Sequence, residues 1–288
     1  MKSSANEIAL AAAVFILALY VWCEVGPRAV LTFTEKKAWA WEITAMGYMM
    51  KVAQDNRAQV EGFYWVKALT VTAIAAFGGG FLAPLLVAHN PVPLMEETYL
   101  WMVVAAWYIV HHVPIFSDFL SEVMRSEAGK ILFTVLFGIF KTNQIVGAVE
   151  LSVKAVAAEH LLPASRYFKT PIMAPILCGF LGGCGGAFLP FSKSLTPIEE
   201  GKTWNIRAAF LAPIIYYWAT RGFGVDPLNA KMVICLFRIC GDLFPATRDS
   251  AVGSMTSLAY VTTGVRPASL PSVVKVTNQA SAKATDGR

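Results

Sequence analysis

The chain has 288 residues, of which 56% are hydrophobic and 15% charged, with a net charge of +5 and a mean hydropathy of +0.53. Soluble domains are about 45–50% apolar and about 25% charged, so the composition excludes a water-soluble globular protein, a disordered chain and a coiled coil. The five cysteines lie inside apolar stretches without metal-ligand or disulfide-framework spacing. These features predict a polytopic membrane protein without a covalent cofactor.

Apolar segments long enough to cross a membrane recur along the chain. A membrane-crossing helix needs about 20 mostly apolar residues, and the segments do not show the even alternation of barrel strands. The predicted fold class is therefore an all-α membrane protein. The predicted spans are 8–25, 37–53, 63–88, 98–116, 130–157, 170–191, 203–220 and 229–247.

The first of these segments follows a weakly basic start, Met1 to Ser4. The stretch 1–28 fits either a signal peptide or an additional N-terminal membrane helix, and no clean small-residue cleavage motif separates the two alternatives. The other seven segments form the body of the protein.

Basic residues are unevenly distributed between the loops of the body. Lys and Arg concentrate in alternate loops, on the same side as the tail 262–288, whereas the loop 89–97 has two glutamates and no Lys or Arg. Because basic loops stay in the cytoplasm, we expect a cytoplasmic C-terminus. The tail is rich in Ser, Thr, Ala and Val with scattered bases, which predicts a flexible basic segment that is either solvated or in weak contact with anionic lipid.

Two glycine-rich segments are related by a constant spacing. The matching positions are Gly79, Gly80 and Pro84 in the first segment and Gly185, Gly186 and Pro190 in the second. Each segment lies in the middle span of a three-span group, 37–116 or 130–220. Because three spans separate the copies, their orientations are opposite, which predicts two inverted three-helix repeats followed by a seventh helix at 229–247.

The glycines weaken both helices near the middle of the membrane. Each Gly lowers helix propensity by about 1 kcal/mol, and the proline that follows removes a backbone hydrogen bond. Two outcomes stay open: a tight helix crossing, or two broken helices whose carbonyl groups face a water-filled path. The candidate pore or kink residues are Gly78, Gly79, Gly80, Gly182, Gly183, Gly185 and Gly186.

Charged residues inside the spans need a reason, because a charge at the middle of a helix costs about 2.5–3.5 kcal/mol on insertion scales. Lys141 lies deep in the span 130–157 without a carboxylate one turn away, and Gln144 follows one turn later. This position suggests an anionic partner or a polar vestibule for the ammonium group, or a side chain that extends to the nearby membrane surface. The spacing also predicts two salt bridges, Glu150 with Lys154 and Arg238 with Asp242.

A polytopic membrane protein can also be a membrane enzyme or a secondary transporter, and each class needs its own site residues. His111 and His112 point about 100° apart on a helix, so they do not form a metal site, and we predict that the protein is not an enzyme. A membrane enzyme would have to use these histidines with a carboxylate such as Asp118. A secondary transporter would need a midplane site, for which the candidates are Asn143, Gln144 and Glu150.

Three stretches of the chain resemble the trimeric intracellular cation channels. They are the triple-glycine stretch from Phe77 to Leu82, the stretch from Ala106 to Ile109 that Pro114 follows, and the stretch from Ile145 to Val149. Their order along the seven helices agrees with that family, and the resemblance covers roughly residues 37–250.

The resemblance implies a homotrimer in the endoplasmic or sarcoplasmic reticulum, with one pore for monovalent cations, mainly potassium, in each subunit. Such channels supply counter-ion current while calcium leaves the store. The family also binds a phosphatidylinositol bisphosphate lipid through a Lys-Glu-Val-x-Arg motif in the fourth helix. Here Lys141 stands at the Arg position, while Phe137 replaces the Lys and Gly138 the Glu. The expected partners are potassium ions, membrane lipids and two further copies of the chain, and no nucleic acid.

The sequence therefore predicts a cation channel with Lys141 at or near the pore. The charge of this lysine would repel cations unless an anionic headgroup neutralised it, so we expect either repulsion or lipid binding at Lys141 to control conduction. No ring of charges or carbonyl motif in the sequence indicates an ion selectivity filter.

Overall fold

A computed structural model describes Leu31 and residues 38–158, 172–188 and 204–250, and these residues contain no β-strand. The predicted segment 8–25, the tail 262–288 and Pro190 lie outside the described residues. The helices are α1 (Ala38–Asp55), α2 (Trp65–Leu86), α3 (Glu97–His112), α4 (Pro114–Arg125), α5 (Glu127–Ala158), α6 (Met173–Cys184), α7 (Trp204–Tyr217) and α8 (Pro227–Leu243). Every predicted span from 37–53 onward overlaps at least one of these helices.

In the described part of the chain, α2 and α5 are long and apolar enough to cross a membrane, judged by length and composition alone. The pair Glu97–His112 and Ile115–Arg125 adds a third candidate if it counts as one bent span. The apolar stretch Met173–Phe188 is helical but shorter. The chain is therefore an all-α, multi-pass membrane protein.

The chain turns sharply where a single span, 98–116, is predicted. Helix α3 ends at His112, and the axis of Ile115–Arg125 lies at 97° to it. The residue between the helices, Val113, has φ −111° and ψ 89°, because a residue that precedes a proline is excluded from the helical region by the proline ring. The predicted span is therefore too long at its C-terminal end.

Side-chain caps determine where two helices begin. The Ser126 hydroxyl accepts a hydrogen bond from the Gly129 amide at 3.1 Å, at the start of α5. The Asp226 carboxylate accepts one from the Asn229 amide at 3.2 Å, and Pro227 is the first residue of α8. Both caps satisfy amide groups that have no partner within the helix.

Helix α5 lies at the centre of the packing, in contact with α1, α2, α6, α7 and α8. Tyr48 of α1 connects α1 to both α5 and α2. Its ring stacks on Phe140 of α5 with 4.3 Å between the centroids, and its hydroxyl donates a hydrogen bond to the Ala76 carbonyl of α2 at 2.8 Å. The residues up to Phe244 form one unit, and a second unit begins at Pro245, of which 245–250 are described and helical.

Candidate functional site

The two glycine-rich segments contact each other through their backbones. A Cβ atom on Gly185 would lie 2.7 Å from the Gly79 Cα atom, and one on Gly186 would lie 2.5 Å from the Ala75 carbonyl oxygen. A Cβ atom on Gly78 would overlap the Gly186 backbone. Only glycine permits this approach, since any side chain would push α2 and α6 apart. The arrangement is the tight crossing of small residues, one of the two outcomes left open by the sequence.

The two crossing helices differ in regularity. Helix α2 runs without a break through Gly78, Gly79 and Gly80, and Pro84 lies inside its last turn. Helix α6 ends at Cys184 and continues as a 3₁₀ turn over Gly185–Phe188. The first glycine segment is therefore not a broken helix, whereas the second changes its hydrogen-bonding pattern at the crossing.

A cavity of about 310 Å³ lies beside the crossing. Its walls come from α1, α2, α3, α5 and α6, and they are mostly apolar. The glycines that line it are Gly79, Gly80, Gly147 and Gly182, and its aromatic residues are Trp41, Phe77, Tyr99 and Phe140. Because five helices converge here, the cavity lies where the two three-helix groups meet.

Two amide side chains of α5 bring polar atoms to this cavity. Asn143 and Gln144 both line it, and the Asn143 Nδ2 and Gln144 Oε1 atoms are buried without a hydrogen-bond partner among the residues that the structure describes. A buried polar atom without a partner costs about 1–3 kcal/mol, so both atoms need water, an ion or another ligand. An amide oxygen is also a suitable ligand for hard cations.

An aromatic pair encloses the cavity opposite these amides. The Trp41 indole N–H donates to the Tyr99 hydroxyl at 2.8 Å, and the Trp41 ring stacks on Phe140 with centroids 5.2 Å apart. The pair joins α1 to α3 and α5. Sequence reasoning missed both residues, because nothing in the spacing between the first and third spans indicates that these side chains meet.

Lys141 lies outside the cavity lining, in the core behind it. Its side chain is only 7% exposed, and its ammonium group lies 5.0 Å from the centroid of the Tyr48 ring, a cation–π distance. Lys141 makes no salt bridge with any described residue. Gly79, Gly80, Gly182 and Gln144 therefore line one cavity, whereas Lys141 does not line it.

Arg238 of α8 is a second buried cation near Lys141. It is 0% exposed and donates to the Asn205 side-chain oxygen at 3.3 Å, while its Nε and Nη1 atoms have no hydrogen-bond partner among the described residues. The two cations repel each other across the core. The salt bridge between Arg238 and Asp242 stays a prediction.

Glu150 has different partners from the one predicted. Its carboxylate accepts a hydrogen bond from the Tyr216 hydroxyl at 2.9 Å and forms a salt bridge with Arg221 at 3.2 Å. Lys154 is exposed. The prediction of a Glu150–Lys154 pair is wrong because the packing of α7 against α5 brings better-placed donors to the carboxylate. With both oxygens engaged, Glu150 is a structural residue rather than a free coupling group.

The histidine pair packs on aromatic rings. The His112 ring contacts Trp107 edge-on with centroids 4.6 Å apart and stacks on Tyr108 at 5.5 Å. His111 faces the same tryptophan. Across the described residues, no group of three or more His, Cys, Asp or Glu side chains could hold a metal ion. The contacts of these histidines are those of packing residues.

Comparisons with known proteins identify the fold. The family model of the TRIC channel matches residues 64–198. A structure of a trimeric intracellular cation channel from C. elegans in the absence of Ca²⁺ has a TM-score of 0.57 at 16% identity, covering 75% of this chain and 94% of the other. The structure of the same C. elegans channel type with bound Ca²⁺ has a TM-score of 0.54 at 13% identity, with coverages of 75% and 96%.

A third structure, described as the structural basis for activity of TRIC counter-ion channels in calcium release, has a TM-score of 0.55 at 16% identity. It covers 69% of this chain and 90% of the other. At these identities the structures establish a shared fold. No curated protein matches the sequence.

Proposed function

We propose that the chain is a member of the TRIC channel family and a monovalent cation channel that works as a homotrimer, because residues 64–198 match the model of that family. The family is one of ion channels rather than enzymes. The proposed role is a potassium counter-current during calcium release across the endoplasmic or sarcoplasmic reticulum membrane. The similar structures support it, since they are described as trimeric intracellular cation channels and as counter-ion channels in calcium release.

The cavity beside the glycine crossing carries the proposal. It lies among five helices, and the unpaired amide atoms of Asn143 and Gln144 give it two polar positions within apolar walls. Water can pair with either position, whereas a potassium ion is stabilised only by the Gln144 amide oxygen, because the Asn143 Nδ2 atom is a hydrogen-bond donor. We infer that cations pass along this cavity, and that the glycines keep it open by bringing α2 and α6 together without side chains.

An inverted repeat accounts for the way in which the glycines meet. Gly79 and Gly185 occupy equivalent places in the two proposed repeats, and they contact each other. Equivalent positions meet directly where a twofold axis passes between them. The contact therefore supports two inverted three-helix units, 37–116 and 130–220, with α8 as the seventh body helix. The basic loops support a cytoplasmic C-terminus.

In this proposal, Lys141 regulates how readily cations occupy the cavity. Its ammonium lies in the core one helical turn from Gln144 and has no carboxylate partner among the described residues. A positive charge in a medium of low dielectric constant raises the energy of a nearby cation. We therefore propose that Lys141 limits cation occupancy by repulsion. Binding of a phosphoinositide at this lysine stays a prediction of the family resemblance.

Recording from the purified protein in planar bilayers under a potassium gradient tests the proposal. We expect ohmic, cation-selective current that Gln144→Leu lowers by about fivefold or more, since one buried polar partner is worth about 1 kcal/mol. Lys141→Met preserves the side-chain volume and should raise the unitary current. Matched controls are Gln59→Leu and Lys154→Met, because both residues are exposed.

Saturable flux coupled to a second solute, without ohmic current, would contradict the channel and favour a transporter. Unchanged conductance in Gln144→Leu would place the conduction route elsewhere. Unchanged conductance and open probability in Lys141→Met would remove Lys141 from the mechanism.

A further inference from the structure

Helix α4 has three distinct sides. One side faces the protein core: Ser117, Leu120 and Ser121 are buried and follow a helical spacing of three and four residues. The Ser117 hydroxyl accepts a hydrogen bond from Arg57 at 2.5 Å, and the Ser121 hydroxyl accepts one from Gln54 at 2.8 Å. These contacts fix the rotation of α4 about its own axis.

The outer side of α4 is divided into an apolar and a charged strip. Ile115 is 87% exposed and Phe119 61% exposed, and the Phe116 ring lies beside that of Phe119 at 6.3 Å. At about 100° per residue, these side chains form one strip, and Asp118, Glu122 and Arg125 form the neighbouring one. A helix with separate exposed apolar and charged strips is typical of the plane of a membrane interface.

The direction of α4 agrees with such a location. Its axis lies at 97° to α3, which lies in the predicted span 98–116. A helix nearly perpendicular to a spanning helix runs along the membrane surface. With Ile115 and Phe119 towards the acyl chains, Arg125 lies at the depth of the lipid headgroups.

A pocket of about 350 Å³ opens at this depth, between the end of α1, the end of α4 and the start of α5. Its charged lining consists of Lys51, Arg125, Lys130 and Asp55, so cations outnumber carboxylates. Gln54 and Thr134 add neutral polar groups, and the Gln54 Oε1 atom is buried without a hydrogen-bond partner. The pocket therefore offers positive charge for an anion and one acceptor for a donor group on the same ligand.

The cations differ in how far they are already neutralised. Lys51 binds Asp55 at 3.0 Å, and Lys130 binds Glu127 at 2.7 Å. Arg125 forms no salt bridge within the part of the chain that the structure describes. A guanidinium presents several N–H donors in a fixed plane that matches phosphate oxygens. Arg125 is consequently the group from which recognition of an anion would start.

We propose that this pocket binds the headgroup of an anionic membrane phospholipid, with the phosphate at Arg125 and Lys130 and a headgroup donor at Gln54. The site is separate from Lys141, which lies buried in the helix core against Tyr48. The proposal rests on the location of α4 at the membrane interface and not on conduction, so it stands or fails independently of the channel function.

Native mass spectrometry of the full-length purified protein tests the proposal, with phosphatidylserine and phosphatidylcholine as probes. We expect the protein to retain phosphatidylserine in preference to phosphatidylcholine. Each basic residue near a membrane surface contributes a factor of about five to anionic-lipid binding, so R125Q/K130Q should weaken phosphatidylserine retention about 25-fold. The charge-conserving variant R125K/K130R should retain most of the binding.

The matched control removes two lysines outside the pocket, Lys67 and Lys154. The K67Q/K154Q variant should bind phosphatidylserine as the wild type does, and equal retention by wild type and R125Q/K130Q would overturn the proposal. Circular dichroism melting curves of all variants show whether a loss of lipid is a loss of fold. If inorganic phosphate displaces the lipid at millimolar concentration, the pocket is a soluble-anion site and the lipid assignment is wrong.

The depth of α4 is tested separately by a spin label on Phe119→Cys in phospholipid vesicles. We expect the label about 5–10 Å below the headgroups. A label in water, or one whose environment changes from lipid to protein on assembly of the subunits, would show that the apolar strip is not at the membrane interface and would overturn the argument for a lipid.

Discussion

Gly79 and Gly185 show how single residues determine the centre of this protein. Their contact brings the backbones of two helices within the distance at which a methyl group no longer fits. Close backbone packing of this kind replaces the hydrophobic effect, which does not drive helix association within a lipid bilayer. The crossing therefore depends on the absence of side chains at a few positions.

Gly79→Ala should lower the free energy of unfolding by about 3 kcal/mol, the upper part of the range for overpacking, because the added methyl group meets backbone atoms that cannot rotate away. Thermal unfolding in detergent measures this change. Gly147→Ala is the matched control, since Gly147 lies in the middle of α5 with nothing within 4 Å of its Cβ position. It should stabilise the protein by up to about 1 kcal/mol through helix propensity. Equal melting temperatures for the two variants would contradict the close crossing.

The sequence indicates which residues belong to the candidate site better than it indicates which side chains contact each other. Residue type and spacing indicate the candidate glycines and Gln144, and the structure places Gly79, Gly80, Gly182 and Gln144 around one cavity. The partners of Glu150 could not be found in this way, because Tyr216 and Arg221 lie on α7 and on the π-helical turn that follows it. Local spacing reports contacts along one helix, whereas the strongest contacts of a buried carboxylate come from other helices.

The turn between α4 and α5 determines where one helix ends and the next begins. The Ser126 amide donates to the Glu122 carbonyl at 3.0 Å, closing α4, while the Ser126 hydroxyl caps α5. One residue thus ends an interfacial helix and begins a membrane-crossing one. A glycine is needed at 129, because a Cβ atom there would overlap the Val123 carbonyl oxygen.

Ser126→Ala should cost about 1 kcal/mol of stability, the usual value for an N-cap hydroxyl. Chemical unfolding monitored by circular dichroism measures the loss. Thr70→Ala serves as the control, since the Thr70 hydroxyl bonds only to the Val66 carbonyl of its own helix and caps no terminus. A loss in Thr70→Ala as large as that in Ser126→Ala would argue against a capping role.

The elements themselves were predictable to within a few residues where apolar length decides them, as for α2 and α5. The prediction of one span at 98–116 is wrong, because the apolar stretch continues past a proline. Hydropathy alone does not show that the helix axis changes direction there. Pro114 carried the missing signal, since the residue before a proline leaves the helical region.

At the scale of the whole molecule, the match of residues 64–198 to the TRIC channel model supports the family that three short stretches predict. The inverted arrangement of the repeats stays a prediction from the glycine spacing and the odd number of spans between the copies. The cavity could not be predicted from the sequence, since its walls combine residues from five helices whose rotations depend on packing.

The proposed trimer is testable by light scattering of the purified protein in detergent, corrected for bound detergent. We expect a protein mass three times that of the 31.3 kDa chain. Large exposed side chains such as Trp101 and Tyr108 on α3 are suited to contacts with neighbouring subunits or lipid tails. A mass of one chain at all detergent concentrations, for a protein that still conducts, would show that assembly is not required.

Helix α5 has 32 residues, which corresponds to a length of about 48 Å at 1.5 Å per residue. The hydrocarbon layer is about 30 Å thick, and even a steep tilt of about 40° leaves such a rod longer than the layer. The helix that carries Asn143 and Gln144 must therefore protrude or lean according to its surroundings. The tilt of α5 therefore depends on bilayer thickness, and the positions of the two amide side chains change with that tilt. In membranes of different thickness, the same protein would have a cavity wall at a different inclination.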